Sequence, residues 1–320
     1  MMRDAVRRDA KTREYLRRRI WDALSRTLHL GRSIWDALAI RCSLAPSRRG
    51  VLRLAFSARF AVALGACLAA TALEGCVAIG DSRVPIETME VAAPRPSAER
   101  TLVIVLPGFG ADAALMSERG VAAAIQEAWP DADVWLTSAT FAYYRDGRLL
   151  DRLQDEVVGP AIKKGYRRIW LAGASMGGIG ALMYEREHPD ALAGIVLFAP
   201  FLGSNRLLEE IRAAGGARQW DPGPLPAEIN VDNYQRQVWG MVKGWGQRPE
   251  LARRVWLYCG TDDRMIYGAQ LLAQELPAAN FLERPGGHTW SNWVSGAKEV
   301  FARIRQLHNT TESSQIPRPR

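Results

Sequence analysis

Short apolar runs alternate with longer amphipathic segments between residues 101 and 307. Apolar runs bounded by glycine, proline or polar residues predict strands buried on both faces, and the amphipathic segments predict helices. The predicted strands are 101–108, 132–138, 168–172, 193–199, 254–259 and 280–283. The predicted helices are 120–129, 149–164, 176–188, 206–214, 267–275 and 291–307. This alternation predicts an α/β fold with a mostly parallel sheet and helices on both faces.

The segment RIWLAGASMGGIG, residues 168–180, places one serine between glycines where a predicted strand meets a predicted helix. If Ser175 occupies a sharp bend, the residues two positions before and after it must be small, because larger side chains would collide with the neighbouring backbone. Gly173 and Gly177 stand at those two positions. The G-x-S-x-G pattern therefore predicts a nucleophile elbow, which lifts the serine hydroxyl out of the sheet.

Two later strands end in the partners that a nucleophilic serine needs. A serine hydroxyl reacts well only when an imidazole accepts its proton, and a carboxylate must orient that imidazole. Asp262 and Asp263 follow the fifth predicted strand, and His288 follows the sixth. The carboxyl ends of parallel strands lie at one edge of a sheet, so we expect these side chains near Ser175.

The chain order of serine, aspartate and histidine resembles that of the α/β-hydrolase family, broadly of the esterase or lipase type. The resemblance covers residues 101–307, which is nearly the whole body of the chain. It implies a catalytic triad of Ser175, an aspartate and His288. In this family the acid usually stands three residues after the glycine that ends the strand, and this spacing favours Asp263 over Asp262.

The resemblance also implies an oxyanion hole built from backbone N–H groups. Met176 follows the nucleophile and is the first expected donor. The turn at residues 107–112 resembles the family's H-G-x-G turn, with proline where histidine is common. Phe109 is the favoured second donor and Gly110 the next, while a Pro-Gly turn chosen only for its shape is the alternative interpretation.

Residues 201–249 interrupt the regular alternation and contain Trp220, Trp239 and Trp245 together with several prolines. In the α/β-hydrolase family this insertion point commonly carries a cap over the active site. The tryptophans could line an acyl or alcohol pocket, or they could pack the cap onto the body. The sequence does not favour either role.

Together these motifs predict a serine hydrolase that cleaves a small-molecule ester or thioester through an acyl-serine intermediate. This chemistry needs no metal and no organic cofactor, and the sequence contains no H-E-x-x-H or clustered Cys/His motif. An acyltransferase that uses the same triad is one alternative. A catalytically silent α/β-hydrolase fold that serves as an envelope binding protein is another, although it would have no chemical reason to retain all three residues.

The formal net charge of +8 is concentrated at the N-terminus. Residues 1–50 contain 13 Lys and Arg against 5 Asp and Glu, whereas the rest of the chain is balanced at 29 of each. The body therefore has no basic excess that would indicate nucleic-acid binding. Residues 1–50 are interpreted as a basic helical extension; a twin-arginine-like export segment and a translation start at Val51 are alternatives.

An uncharged run from Phe60 to Leu73 has the length of a signal-peptide core and is short for a membrane span. The residues Leu-Glu-Gly-Cys that end at Cys76 resemble the lipobox of bacterial lipoproteins, with glutamate in place of the usual small residue. An earlier Leu-Gly-Ala-Cys ending at Cys67 fits that motif better by residue type but leaves a shorter apolar run. We favour Cys76 as the lipidated residue, with a plain apolar anchor helix as the alternative.

The resulting domain organisation comprises a basic extension (1–50), a signal segment (51–76), a linker (77–100), a hydrolase domain (101–308) with a cap insertion (201–249), and a polar tail (309–320). Val77 follows the favoured cysteine, where aspartate would retain a lipoprotein in the inner membrane. The resemblance therefore implies a membrane-anchored lipoprotein on the periplasmic face of the outer membrane. A free periplasmic or secreted protein is the alternative.

Overall fold

The computed structural model describes residues 78–97, 99–189 and 191–315. The predictions for the basic extension, the signal segment, Cys67 and Cys76 fall outside these residues. The described helices do not include one with both the length and the apolar character that a bilayer crossing requires.

In the part of the chain that the structure describes, seven strands form one sheet in the order β1-β3-β2-β4-β5-β6-β7. Among these strands the β1–β3 pair is antiparallel and the other pairs are parallel. The strands are β1 (Thr88–Val91), β2 (Thr101–Leu106), β3 (Ala132–Thr137), β4 (Arg168–Ala174), β5 (Gly194–Phe198), β6 (Val255–Gly260) and β7 (Phe281–Arg284). The prediction of a mostly parallel α/β sheet is confirmed. Strands β2, β5 and β6 are buried along their whole length, which explains why they read as continuous apolar runs.

The helices connect these strands and cover the sheet. They are α1 (Ala113–Glu118), α2 (Val121–Ala128), α3 (Phe141–Arg145), α4 (Leu149–Leu153), α5 (Gly159–Lys163), α6 (Met176–Glu187), α7 (Asn205–Ala213), α8 (Tyr234–Gly244), α9 (Pro249–Ala252), α10 (Ile266–Ala273) and α11 (Trp290–Gln315). A π-helical turn, Gln154–Val158, joins α4 to α5, so the predicted helix 149–164 is continuous but not uniformly α-helical. A short 3₁₀ turn, Ala278–Asn280, precedes β7.

The segment interpreted as a linker, 77–100, contributes an edge strand to the sheet. Its β1 pairs antiparallel with β3, and Ile86 is buried in the core. The carboxylate of Glu156 accepts a hydrogen bond from the Ile86 backbone N–H at 2.7 Å. Helix α11 continues through residue 315 and so includes part of the segment 309–320 interpreted as a polar tail.

The insertion 201–249 carries α7 and α8 between β5 and β6, and α8 packs beside α6. Trp220, Trp239 and Trp245 are all buried. The indole N–H of Trp239 donates to the Leu202 carbonyl at 2.8 Å, and that of Trp220 donates to Glu210 at 2.9 Å. These contacts favour the packing role over the pocket-lining role for Trp220 and Trp239.

Candidate active site

Ser175 lies in a strained bend between β4 and α6. Its φ of 51° and ψ of −113° place a non-glycine residue at positive φ, a conformation that persists only when its surroundings enforce it. The Ser175 N–H donates to the Phe198 carbonyl at 2.9 Å, and the Ser175 carbonyl accepts from the Phe201 N–H at 2.8 Å. Strand β5 and the chain that follows it therefore hold the bend in place.

The two glycines that flank the serine are needed because backbone atoms crowd them. A Cβ atom at Gly173 would lie 2.1 Å from the Gly177 carbonyl oxygen. A Cβ atom at Gly177 would lie 2.4 Å from the Leu106 carbonyl oxygen. Backbone atoms of the sheet cannot move aside as a flexible side chain can, so the geometry has the form expected of a nucleophile elbow.

His288 lies between Ser175 and Asp263. Its Nε2 is 3.1 Å from Ser175 Oγ, and its Nδ1 is 2.8 Å and 3.0 Å from the two carboxylate oxygens of Asp263. Ser175 is only 7% exposed and Asp263 only 2%, so these contacts lie largely out of water. The structure thus brings together the three side chains that the sequence placed at three strand ends.

The two neighbouring aspartates have different surroundings. Asp263 turns inward, and its carboxylate also accepts the Met265 backbone N–H at 2.9 Å. Asp262 is exposed, and its backbone N–H donates to the Gly286 carbonyl at 3.0 Å. Asp263 is therefore the carboxylate that faces His288, while Asp262 joins the two loops through its backbone.

The loop that carries His288 is supported by Asn292, which the sequence analysis did not single out. The Asn292 side chain accepts the Tyr258 hydroxyl at 2.8 Å and donates to the Gly287 carbonyl at 3.0 Å. Gly286, at φ 135°, lies so close that a Cβ atom there would be 2.7 Å from the Asn292 side-chain oxygen. An asparagine near a helix start looks like an ordinary polar residue in sequence, so only the fold identifies this contact.

The turn after β2 lies directly against the serine. A Cβ atom at Gly108 would be 3.6 Å from the Ser175 Cβ, and the Ala111 N–H donates to the Gly108 carbonyl at 3.2 Å. Phe109 and Gly110 occupy the two central positions of this turn, and Gly110 has a φ of 80°. Met176, the other predicted donor, is the first residue of α6, where backbone N–H groups have no helical acceptor.

The surroundings of the predicted site include a cysteine and a tryptophan. Cys259 lies at the end of β6, where burial, with a smaller contribution from Asp263, raises the pKa of its thiol to about 12. The thiol is therefore neutral and does not compete as a nucleophile. The Trp293 ring meets the His288 ring edge-on at 4.7 Å and shields one side of the imidazole. The described residues hold no group of three or more His, Cys, Asp or Glu side chains placed to bind a metal.

A cavity of about 430 Å³ lies away from these groups. Glu185 and Arg186, at the C-terminal end of α6, line it together with Trp245 from the insertion. Ser175 precedes the N-terminal end of the same helix, roughly 15 Å away at 1.5 Å per residue. The cavity therefore does not form the substrate pocket of the serine.

Comparison with known proteins defines the family. Residues 113–298 match the Esterase family model, described as "Putative esterase". This match covers more than half of the chain, so the chain belongs to this esterase family, whose members are hydrolases of the α/β type. Ester hydrolysis is therefore its reaction class. A search of curated proteins finds no matching sequence.

Solved structures similar to this chain are found at low sequence identity. The chain is similar to Est1E from Butyrivibrio proteoclasticus, with 15% identity and a TM-score of 0.50 over 70% of this chain and 95% of that chain. It is also similar to a ferulic acid esterase, with 16% identity and a TM-score of 0.48 over 69% and 97%. A third is S-formylglutathione hydrolase (FrmB) from Staphylococcus aureus, with 13% identity and a TM-score of 0.46 over 68% and 96%.

Proposed function

We propose that this chain is a serine hydrolase that cleaves a small-molecule carboxylic ester or thioester through an acyl-Ser175 intermediate. The observation that carries the proposal is the continuous line of hydrogen-bonding atoms from Ser175 Oγ through His288 to Asp263. Such a line activates a hydroxyl that is otherwise a poor nucleophile. The esterase family match supports the same reaction class.

In the first half-reaction, Ser175 Oγ attacks the carbonyl carbon while its proton passes to Nε2 of His288. The imidazolium that forms is stabilised by Asp263, which accepts the Nδ1 proton in a hydrogen bond and fixes the ring orientation. The tetrahedral intermediate collapses as His288 returns the proton to the leaving alcohol or thiol. Water then attacks the acyl-serine with His288 acting again as base, and the acid product leaves.

The developing oxyanion is stabilised by two backbone N–H groups. Met176 supplies one from the N-terminus of α6, where the helix dipole also favours negative charge. Phe109 supplies the second from the turn that lies against Ser175, with Gly110 as the next donor along that turn. Donors fixed in a turn and a helix need little reorganisation when the charge develops.

A fluorophosphonate probe tests this mechanism, because it reacts covalently with an activated serine. The parent protein should be labelled once, and Ser175→Ala should lose both the label and at least about a thousandfold of ester turnover. The matched control is Ser117→Ala, since Ser117 is an exposed serine on α1. Turnover by a folded Ser175→Ala variant within tenfold of the parent would remove Ser175 from the mechanism.

We further propose that Cys76 is the lipidated N-terminus of the mature protein and that the outer membrane holds it. The apolar run ending before this cysteine and the lipobox-like residues support the proposal. Two or three acyl chains would anchor the body firmly, whereas one chain alone binds only marginally. Mass spectrometry of membrane-extracted protein should find a modified Cys76 at the N-terminus. An unmodified chain beginning at Met1 in the soluble fraction would contradict both export and lipidation.

A further inference from the structure

The first described residues cross the turn that carries the predicted oxyanion donors. We call residues 78–81 the strap. The Ala78 N–H donates to the Gly110 carbonyl at 3.2 Å, and the Ile79 carbonyl accepts the Ala142 N–H at 2.9 Å. The strap therefore connects the turn after β2 to the start of α3.

The strap is held in this position by close packing at Gly80 and by hydrogen bonds to the residues that follow it. Gly80 has a φ of 74°, and a Cβ atom there would lie 1.9 Å from Thr140 Oγ1. Just beyond the strap, the Arg152 guanidinium donates to the Ser82 and Val84 carbonyls at 3.1 Å and 3.0 Å. The chain that arrives from the N-terminus therefore has a defined point of contact beside the active site.

Three apolar side chains lie around this contact and form what we call the apolar rim: Ile79, Phe109 and Phe141. Ile79 is 37% exposed and Phe109 is 51% exposed, while Phe141 is partly buried. The rings of Phe109 and Phe141 meet edge-on, with centroids 5.2 Å apart. Exposed aromatic and aliphatic side chains at the mouth of a site are a surface on which an apolar partner can dock.

The length of the chain before the strap limits how far a membrane anchor can be from this rim. Cys76 stands two residues before Ala78, a span of at most about 7 Å. The uncharged run Phe60–Leu73 ends five residues before Ala78, a span of at most about 18 Å. Either kind of anchor, a lipidated cysteine or an uncleaved apolar segment, keeps Ala78 and Gly110 near the headgroup layer.

We propose that the apolar rim contacts a lipid surface, so that the mouth of the active site faces the membrane that anchors the protein. The substrate class is then an ester or thioester of an amphiphile that resides in or on that membrane. This inference rests on the proposed serine hydrolase function and deepens it. Three side chains are too few to bind a bilayer alone, but a covalent anchor raises their effective concentration at the surface, where the rim fixes the orientation.

The test uses the full chain in phosphatidylcholine vesicles and measures the hydrolysis of two esters that release the same fluorophore. 4-Methylumbelliferyl oleate partitions into the bilayer, whereas 4-methylumbelliferyl acetate stays in water. Ile79→Asp should lower the ratio of oleate to acetate turnover by about tenfold, because a carboxylate at the rim opposes contact with lipid. Ile162→Asp is the matched control, since Ile162 is 42% exposed on α5, which precedes the start of β4, whereas Ser175 follows the end of that strand.

The outcomes separate this inference from the proposed mechanism. A ratio that is unchanged in Ile79→Asp, or that falls equally in Ile162→Asp, overturns the membrane-facing orientation. A parent protein that hydrolyses the acetate but not the vesicle-borne oleate overturns the substrate class while the serine mechanism stands. Acetate turnover that persists in Ser175→Ala contradicts the mechanism, and the ratio between the two esters still decides the orientation.

Discussion

Replacing Asp263 with asparagine tests the electrostatic design of the site without changing its shape. The Asp263 carboxylate accepts two N–H groups, from His288 Nδ1 at 2.8 Å and from the Met265 backbone at 2.9 Å. An asparagine has one acceptor oxygen and one donor NH₂ group. Both N–H groups lie nearest the same carboxylate oxygen, Oδ1, and the Met265 N–H can only donate, so the asparagine oxygen must occupy the Oδ1 position. The NH₂ group then occupies the Oδ2 position, 3.0 Å from His288 Nδ1.

This arrangement removes the negative charge that holds the proton on Nδ1 and that stabilises the imidazolium. The NH₂ donor beside Nδ1 also favours the tautomer that carries its proton on Nε2, and this tautomer donates to Ser175 Oγ instead of accepting its proton. The side chain of Asp263 is buried, so no water is at hand to relieve the mismatch. We expect turnover to fall by about ten-thousandfold, equivalent to about 5.4 kcal/mol of transition-state stabilisation, with little loss of fold.

The assay is steady-state hydrolysis of a soluble ester, with circular dichroism to confirm that each variant is folded. Asp262→Asn is the matched control, because it makes the same chemical change at an exposed neighbour and should retain turnover within about threefold. A folded Asp263→Asn variant with turnover within tenfold of the parent would refute the role of the buried carboxylate. The reverse ranking of the two variants would assign that role to Asp262.

Three further predictions concern stability. Gly177→Ala should cost at least about 2 kcal/mol in chemical denaturation, because its Cβ would lie 2.4 Å from the Leu106 carbonyl oxygen. Hydrogen bonds from the Arg236 guanidinium and, second, from the Trp220 indole lower the pKa of Glu210 from 4.5 to about 2. The stabilising effect of the ionised Glu210 is therefore present above pH 4.5 and is lost on acidification towards pH 2. Arg236→Met should flatten that loss in an acid titration of stability, and an unchanged slope would contradict it. Gly80→Val should lower the midpoint of thermal unfolding, because residue 80 has a φ of 74°.

The strands of the body could be predicted from sequence because burial on both faces leaves continuous apolar runs. The predicted strands 101–108 and 254–259 correspond to β2 and β6 within two residues at each end. Strand β1 was missed because it is short and half-exposed at the sheet edge, so the sequence TMEV shows no apolar run. Helix α8 was missed because it lies in the insertion, where prolines and polar residues obscure the periodicity.

Sequence patterns pointed to the three side chains that the fold brings together, but not to the residues that support them. Ser175 and His288 stand in glycine-rich turns after apolar runs, a pattern that sequence shows directly. Asp263 could be separated from its neighbour only through the family spacing, whereas the fold separates them by burial. The support from Asn292 depends on a tyrosine 34 residues earlier in the chain, and no local pattern reveals such a pairing.

The side chains of the candidate site follow strands at different places in the sheet, and this affects how activity is lost on heating or in denaturant. Ser175 follows the central strand β4, but His288 follows β7, a four-residue strand at the sheet edge and 113 residues further along the chain. Edge elements with few ladder bonds open at lower free energy than the core. Enzymatic activity should therefore disappear on heating or denaturant addition before the bulk helical signal does. Loss of ester hydrolysis should therefore report the detachment of β7 from the sheet before the protein unfolds globally.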